Sequence, residues 1–316
     1  MKNFLILYFF FTICASFQLA KLPQSSQKAI LWTADWSADD KYIAWGGDDS
    51  LLIIYDAVHQ KIFKSVQVNG MIKGMEWHPQ SKLLAIATMK GVSLYDLASG
   101  QLNNIPGMAG GRGIGWNYNG ELLALADGYG KVQIMNKQGQ LLKSIKKHNS
   151  NGYMTLDWHP SKNIIVTGSD EIILFDTSGR QLAFINHRKE HTGVLTVRWH
   201  SSGEFFASGD YGHEGEGMPT LLQFWKEDGT AIKTIKGSKA EYRNIRWTKD
   251  GSLLATASDA LRIWNKEGEL LHSSQSSEDL LWGVAWNSDH TRVVTTSIQG
   301  NVKLWDAKAR LIRTLR

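Results

Sequence analysis

LWGVAWNSDHTRVVTTSIQGNVKLWD, residues 281–306, holds three short apolar runs separated by polar turns. The first ends in Trp286, the turn NSDHT follows, RVVTTS forms the second run, and the third closes on Trp305-Asp306. ARLIRTLR, residues 309–316, supplies a fourth. Runs of this length, rich in Val, Thr, Ile and Trp and bounded by turn residues, read as β-strands. Four antiparallel strands joined by tight turns make one sheet that can bury neither face alone.

Moving outward from this stretch, the same pattern returns along the chain. Trp36, Trp77, Trp116, Trp158, Trp199, Trp247 and Trp286 recur at intervals of 41, 39, 42, 41, 48 and 39 residues. Each closes a short run (TADW, GMEW, GIGW, TLDW, TVRW, NIRW, GVAW), and a polar turn and a small apolar strand follow it. Third strands end at Tyr55-Asp56, Tyr95-Asp96, Met135-Asn136, Phe175-Asp176, Trp225-Lys226, Trp264-Asn265 and Trp305-Asp306. Seven such units in phase predict an all-β chain folded as a seven-bladed β-propeller of four-stranded antiparallel blades. The anchor Trp residues are expected to fill the interfaces between blades.

On these residues the chain resembles the WD-repeat family over roughly residues 21–316. The literal Trp-Asp signature stands at Trp305-Asp306. The resemblance implies a propeller that binds proteins without catalysis, as a scaffold. It also implies buried His–Ser/Thr–Asp–Trp sets, and these are incomplete here. Blade 5 offers His191, Ser208, Asp210 and Trp225; blade 4 offers His148, Thr167 and Asp170 with Phe175 in place of Trp; blade 1 has Asp49 but Trp45 in the Ser/Thr place. The C-terminal strand ARLIRTLR is expected to complete blade 7, with FQLAKL at residues 17–22 as its competitor.

The N-terminus differs from the rest. Lys2 precedes an apolar run from Phe4 to Phe17, of signal-peptide length and short for a membrane span. Residues 1–20 are therefore read as a signal or N-terminal anchor and 21–316 as the propeller. The expectation is a secreted or periplasmic protein with no membrane span in the mature chain, with a cytoplasmic protein as the alternative. Cys14, the one cysteine, lies in this segment, so a cleaved chain has no thiol for a disulfide or a metal. A net charge of +5, spread along the chain, does not indicate a nucleic-acid partner.

Ten of the thirteen Trp belong to the repeat, leaving Trp32, Trp45 and Trp282. Trp32 and Trp282 each stand four residues before an anchor, in blades that become neighbours when the ring closes. The same position holds Lys73, Arg112, Met154, Leu195 and Arg243. In the family it lies at the rim of the central channel, on the face that commonly binds partners. Two Trp flanked by Lys73, Arg112 and Arg243 suit an acidic, aromatic or proline-containing peptide. The bland alternative is that both Trp pack under loops.

Blade 5 spans 26 residues from Trp199 to Trp225, against 17 to 19 elsewhere. The family topology puts the extra segment, with Asp210, Tyr211, His213, Glu214 and Glu216, on the rim face as a further partner contact or an exposed flexible loop, and its Asp210, His213, Glu214 and Glu216 are also potential metal ligands. The stretch Gly107–Gly113 lacks the features of a phosphate loop and reads as a wide turn between blades. His187–His191 reads as a solvated basic turn. Asp35, Glu76 and Asp157 read as blade-packing or channel-lining charges. No catalytic constellation and no cofactor emerge, and the chain is expected to act as a monomeric propeller. The competing readings are an exported propeller hydrolase or lyase with a metal in its channel, and a structural subunit with contacts on its outer blade edges.

Overall fold

A computed structural model describes residues 28–149, 154–188, 192–212 and 217–316. The proposed signal at 1–20, the run at 17–22, and His191, His213, Glu214 and Glu216 lie outside the described residues. The rest form seven four-stranded antiparallel sheets, each built from four consecutive strands.

The innermost strands are β1 (Leu31–Trp36), β5 (Ile72–Trp77), β9 (Gly111–Trp116), β13 (Thr155–Trp158), β17 (Val194–Trp199), β21 (Asn244–Trp247) and β25 (Leu281–Trp286). The outermost are β4 (Lys61–Gln67), β8 (Gln101–Ile105), β12 (Leu141–Lys146), β16 (Gln181–Ile185), β20 (Ala231–Ile235), β24 (Leu270–Ser273) and β28 (Leu311–Thr314). Blade 7 is completed by β28 from the C-terminus, as the sequence suggested.

Buried apolar residues divide into seven clusters, and each straddles two adjacent blades. The cluster joining Leu31, Trp36 and Ile43 of blade 1 to Ala285, Val294 and Val302 of blade 7 closes the ring, and among the described residues each blade keeps its own four strands. All seven anchor Trp are buried. Each withdraws roughly 200 Å² from water, worth about 5 kcal/mol before ordering costs. Three also bond to the preceding blade: the indole N–H groups of Trp116, Trp158 and Trp286 donate to the carbonyls of Glu76, Gly115 and Arg246.

Two recurrent breaks in strand pairing place the exposed chemistry. On the inner strands the register slips by one residue near the start, leaving Trp32, Lys73, Arg112, Leu195 and Trp282 at β-bulges. On six outer strands a second slip leaves Phe63, Leu142, Leu182, Ile232, Leu271 and Ile312 at bulges. Blade 2 pairs its outer strand regularly. A bulge bends the strand and turns one side chain out of the alternating pattern, which re-aims it.

Candidate functional site

The inner bulges face the mouth of the channel where the chain enters each inner strand. Trp32 and Trp282 meet there with ring centroids 4.2 Å apart and planes tilted by 52°. The Trp32 indole N–H donates to Asp48 Oδ1 at 2.7 Å, and Lys73 Nζ donates to the same oxygen at 2.9 Å. Lys73 Nζ also stands 3.5 Å from the Trp32 ring centroid, a close cation–π contact. Burial pulls the Lys73 ammonium below its ordinary pKa; Asp48 opposes this, while the charges of Arg112 and Arg243 add to it.

Arg243 sits among three rings, its guanidinium carbon 4.5 Å from Trp282, 5.3 Å from Tyr211 and 5.9 Å from Trp32. Its Nε donates to Glu241 at 2.8 Å. Arg112 reaches from blade 3 to blade 6 and donates to the Arg243 carbonyl at 2.6 Å, bridging the channel. The Trp282 indole N–H is buried and has no acceptor among the described residues. Trp32, Lys73, Arg112, Tyr211, Arg243 and Trp282 thus converge on one mouth. Met154 and Leu195, at the same position in blades 4 and 5, are buried and apolar.

Below this mouth the channel is filled by charge. Asp35, Glu76 and Asp157, each one residue before an anchor Trp, accept the backbone N–H of the next blade's anchor, at Trp77 (2.9 Å), Trp116 (3.2 Å) and Trp199 (2.7 Å). They both line the channel and clasp blade to blade. Their counterions went unnoticed in the sequence: Arg198 and Arg246 occupy the same position in blades 5 and 6. Arg246 crosses the channel to within 3.9 Å of Asp35 and 3.6 Å of Glu76. Burial pushes the carboxyls of Asp35 and Asp157 up to about 6 against the pull of Arg246 and Arg198 respectively. Burial also weakens the Arg198 charge; on Arg246 it is outweighed by the three carboxylates. Each of these carboxylates thus holds a backbone amide of a neighbouring blade beside a guanidinium group, and Asp35, Glu76 and Arg246 also line a cavity on the channel.

At the described start of the blade 5 insertion, Asp210 is fully engaged. Asp210 accepts the Leu221 backbone N–H at 2.7 Å and Arg188 Nη1 at 2.8 Å, and His187 Nε2 stands 3.9 Å away. Burial, opposed by these partners, pushes Asp210 up to about 6. The solvated-turn reading of His187–His191 is thereby corrected for His187 and Arg188, the two residues of that turn that are described. His187 is buried, and Arg188 turns inward because the inserted loop brings Asp210 and the Pro219 carbonyl to it. Tyr211 remains exposed. The Gly107–Gly113 stretch is a turn only as far as Gly110, since β9 starts at Gly111. A side chain at Gly113 would strike the Thr155–Leu156 backbone at 2.8 Å, so this glycine permits close blade packing.

Comparison with known proteins agrees with this architecture. Residues 182–214 and 268–306 match the model of the WD domain, G-beta repeat. With seven four-stranded blades and these two matches, the chain is a β-propeller with repeats of the WD type. Residues 23–171 match the family model Eukaryotic translation initiation factor eIF2A. Among similar curated proteins, Intraflagellar transport protein 80 homolog of Mus musculus is 24% identical over 59% of this chain and 23% of its own length. Serine-threonine kinase receptor-associated protein of Rattus norvegicus is 26% identical over 60% of this chain and 55% of its own. "Probable cytosolic iron-sulfur protein assembly protein 1" of Candida glabrata is 26% identical over 40% of each. The propeller therefore spans between about a quarter and half of these relatives.

These relatives correct the expectation of export. One is named for the cytosol and another for intraflagellar transport, so the relatives point to an intracellular rather than a secreted protein. An apolar N-terminal run resembles a signal by composition alone, which does not distinguish it from other apolar segments. Among the described residues no helix is long and apolar enough to cross a membrane.

The WD-repeat propeller keeps its inherited polar sets only in part. The Trp-to-hydroxyl bond survives in blades 5, 6 and 7, where Trp225, Trp264 and Trp305 donate to Ser208 (2.9 Å), Thr256 (3.1 Å) and Thr295 (2.8 Å). In blade 4, His148 bonds Thr167 at 2.9 Å, but its nearest carboxylate is Glu171 at 3.5 Å, not Asp170. Burial lowers the His148 pKa to about 4, so it is neutral and structural at physiological pH. Trp45 in blade 1 is buried against Tyr55, 6.0 Å between centroids, so aromatic packing replaces the hydroxyl bond there.

Proposed function

We propose that this propeller is a non-catalytic protein-binding scaffold that holds its partner on the Trp32–Trp282 mouth of the channel. The observation that supports this is the convergence of two Trp, Lys73 and Arg243 from blades 1, 2, 6 and 7, with Tyr211 of blade 5 at the margin. Aromatic faces and guanidinium groups carry a disproportionate share of binding energy at protein interfaces. The three cations Lys73, Arg112 and Arg243 outnumber Asp48 and Glu241, which favours a peptide with an acidic side chain. A relative named as receptor-associated fits the same reading. A channel enzyme would need carboxylates held open to a substrate or metal, whereas Asp35, Glu76 and Asp157 are occupied by Arg198, Arg246 and backbone amides.

The test is affinity capture with the full chain beside a Trp32→Ala/Trp282→Ala variant of unchanged melting temperature, read by mass spectrometry. Partners held by wild type and lost by the folded variant are expected. Equal capture by both would remove the partner from this mouth.

A further inference from the structure

Between the mouth and the charged waist the channel holds a cavity of about 30 Å³. Five cations line it: Lys73, Arg112 and Arg243 from the mouth, and Arg198 and Arg246 from the waist. Among the described residues no carboxylate does. Asp48, Glu241, Asp35, Glu76 and Asp157, which balance these cations, all stand outside its wall.

The least satisfied part of that wall belongs to two neighbouring inner strands. Thr196 and Arg198 of β17, and Asn244 and Arg246 of β21, are spaced two residues apart, so each pair shares one face of its strand. All four line the cavity, and each carries a buried polar atom without a partner among the described residues: Thr196 Oγ1, Arg198 Nε, Asn244 Oδ1 and Arg246 Nε. Arg198 donates only through Nη1, to the carbonyls of Leu156 and Val197. The carboxylate oxygens facing Arg246 stand 3.6 and 3.9 Å away, long for a hydrogen bond. A half-turn of the Asn244 amide exchanges its oxygen for its nitrogen, so this side chain can donate too. Buried polar groups are normally paired, and four unpaired ones on one wall call for a species that completes them. Water would satisfy the donors but leave the cations facing one another. An anion answers both needs.

We propose that the channel binds one monovalent anion, no larger than a carboxylate, in this cavity. It accepts from the Arg198 and Arg246 guanidinium groups, the Thr196 hydroxyl and the Asn244 amide, while Lys73, Arg112 and Arg243 complete the positive surround. Volume sets the size class. One water needs about 10–15 Å³ on this measure, so there is room for roughly two or three such particles. A halide or a carboxylate fits, whereas phosphate and sulfate are too large. The anion is either a free ion or the carboxylate of a protein that enters by the mouth. Its ligands all belong to the free chain, so the site does not depend on the partner reading above.

Thermal melting of the full chain at constant ionic strength tests this, with bromide and formate as probes and bulky gluconate as the reference anion. Each probe should raise the melting temperature by about 2–4 °C relative to gluconate, along a saturating curve, because it binds the folded state alone. Thr196→Val keeps the shape, removes one donor and should weaken both probes by about three- to tenfold. Asn244→Asp supplies a carboxylate from the chain itself. This variant should melt above wild type in gluconate and lose its response to both probes, which also controls for general salt effects. A response to bromide alone would support the site with a free ion as occupant, and one to formate alone would support it with a carboxylate. No saturable gain with either probe, or a gain that either variant leaves unchanged, would overturn the proposal.

Discussion

The same backbone device is used twice in this propeller, with opposite results. Inner-strand bulges aim Trp32, Lys73, Arg112 and Trp282 toward one axis, where indole, ammonium, guanidinium and carboxylate groups bind one another. Outer-strand bulges aim Phe63, Leu142, Leu182, Ile232, Leu271 and Ile312 away from the axis. Identical slips converge at the centre and diverge at the circumference because the blades are arranged radially. A bulge in this fold therefore builds a shared site only on the inner strands. On the outer strands it yields separate knobs, although side chains link neighbouring outer edges at several junctions, from Lys143 to Ser178, Lys233 to Glu267 and Arg313 to Gln60.

Stability measurements can break or sharpen this contrast. The largest effect is expected at the inner strands. Trp77→Ala should cost about 3–5 kcal/mol in urea unfolding, since the cavity would open between blades 1 and 2. A loss near that of an exposed residue would mean that the anchors do not hold the ring.

The next effect concerns the charged waist. Asp157 has a folded pKa near 6, above its ordinary 3.8, because burial disfavours its charge. Its protonated form is favoured in the folded state, so its contribution is full below about pH 4 and is lost as pH rises through 6. Asp157→Asn should therefore gain stability relative to wild type between pH 4.5 and 7.5, by on the order of 2 kcal/mol. Parallel stability–pH curves for the two proteins would show that this carboxyl does not titrate there. Taking the difference also cancels His148, whose lowered pKa works in the opposite direction by losing stability on acidification.

The smallest effects belong to the circumference. Leu142→Ser and Ile232→Ser should each change stability by no more than about 0.5 kcal/mol, as expected for exposed sites. A loss of several times that would show that the outer bulges carry packing, and would weaken the contrast with the inner set.

Much of this architecture was legible in the chain. The Trp spacing counted the blades because each blade needs one bulky residue at the same interface. The equivalence of Trp32, Lys73, Arg112, Arg243 and Trp282 followed from counting four residues back from the anchors. Asp35, Glu76 and Asp157 were recognised as blade-packing or channel-lining charges, but Arg198 and Arg246 at the same offset were passed over, although the count that found the acids would have found them. His187 and Arg188 were misjudged for another reason: a basic run looks solvated until an inserted loop brings a buried carboxylate to it.

The sequence alone determined the number of blades, the strands within each and the equivalent positions from which the channel-mouth residues are drawn. These depend on local periodicity and on a repeat that must satisfy the same packing seven times. The tertiary structure decided which residues are partners across the ring. Arg112 meets the Arg243 carbonyl and Arg246 faces Asp35 and Glu76 over separations of well over a hundred residues. It also decided where the pairing slips, since a one-residue bulge leaves no distinct mark in an apolar strand yet determines where its side chain points. Repetition specifies equivalent positions, but only closure of the ring brings unequal side chains at those positions face to face.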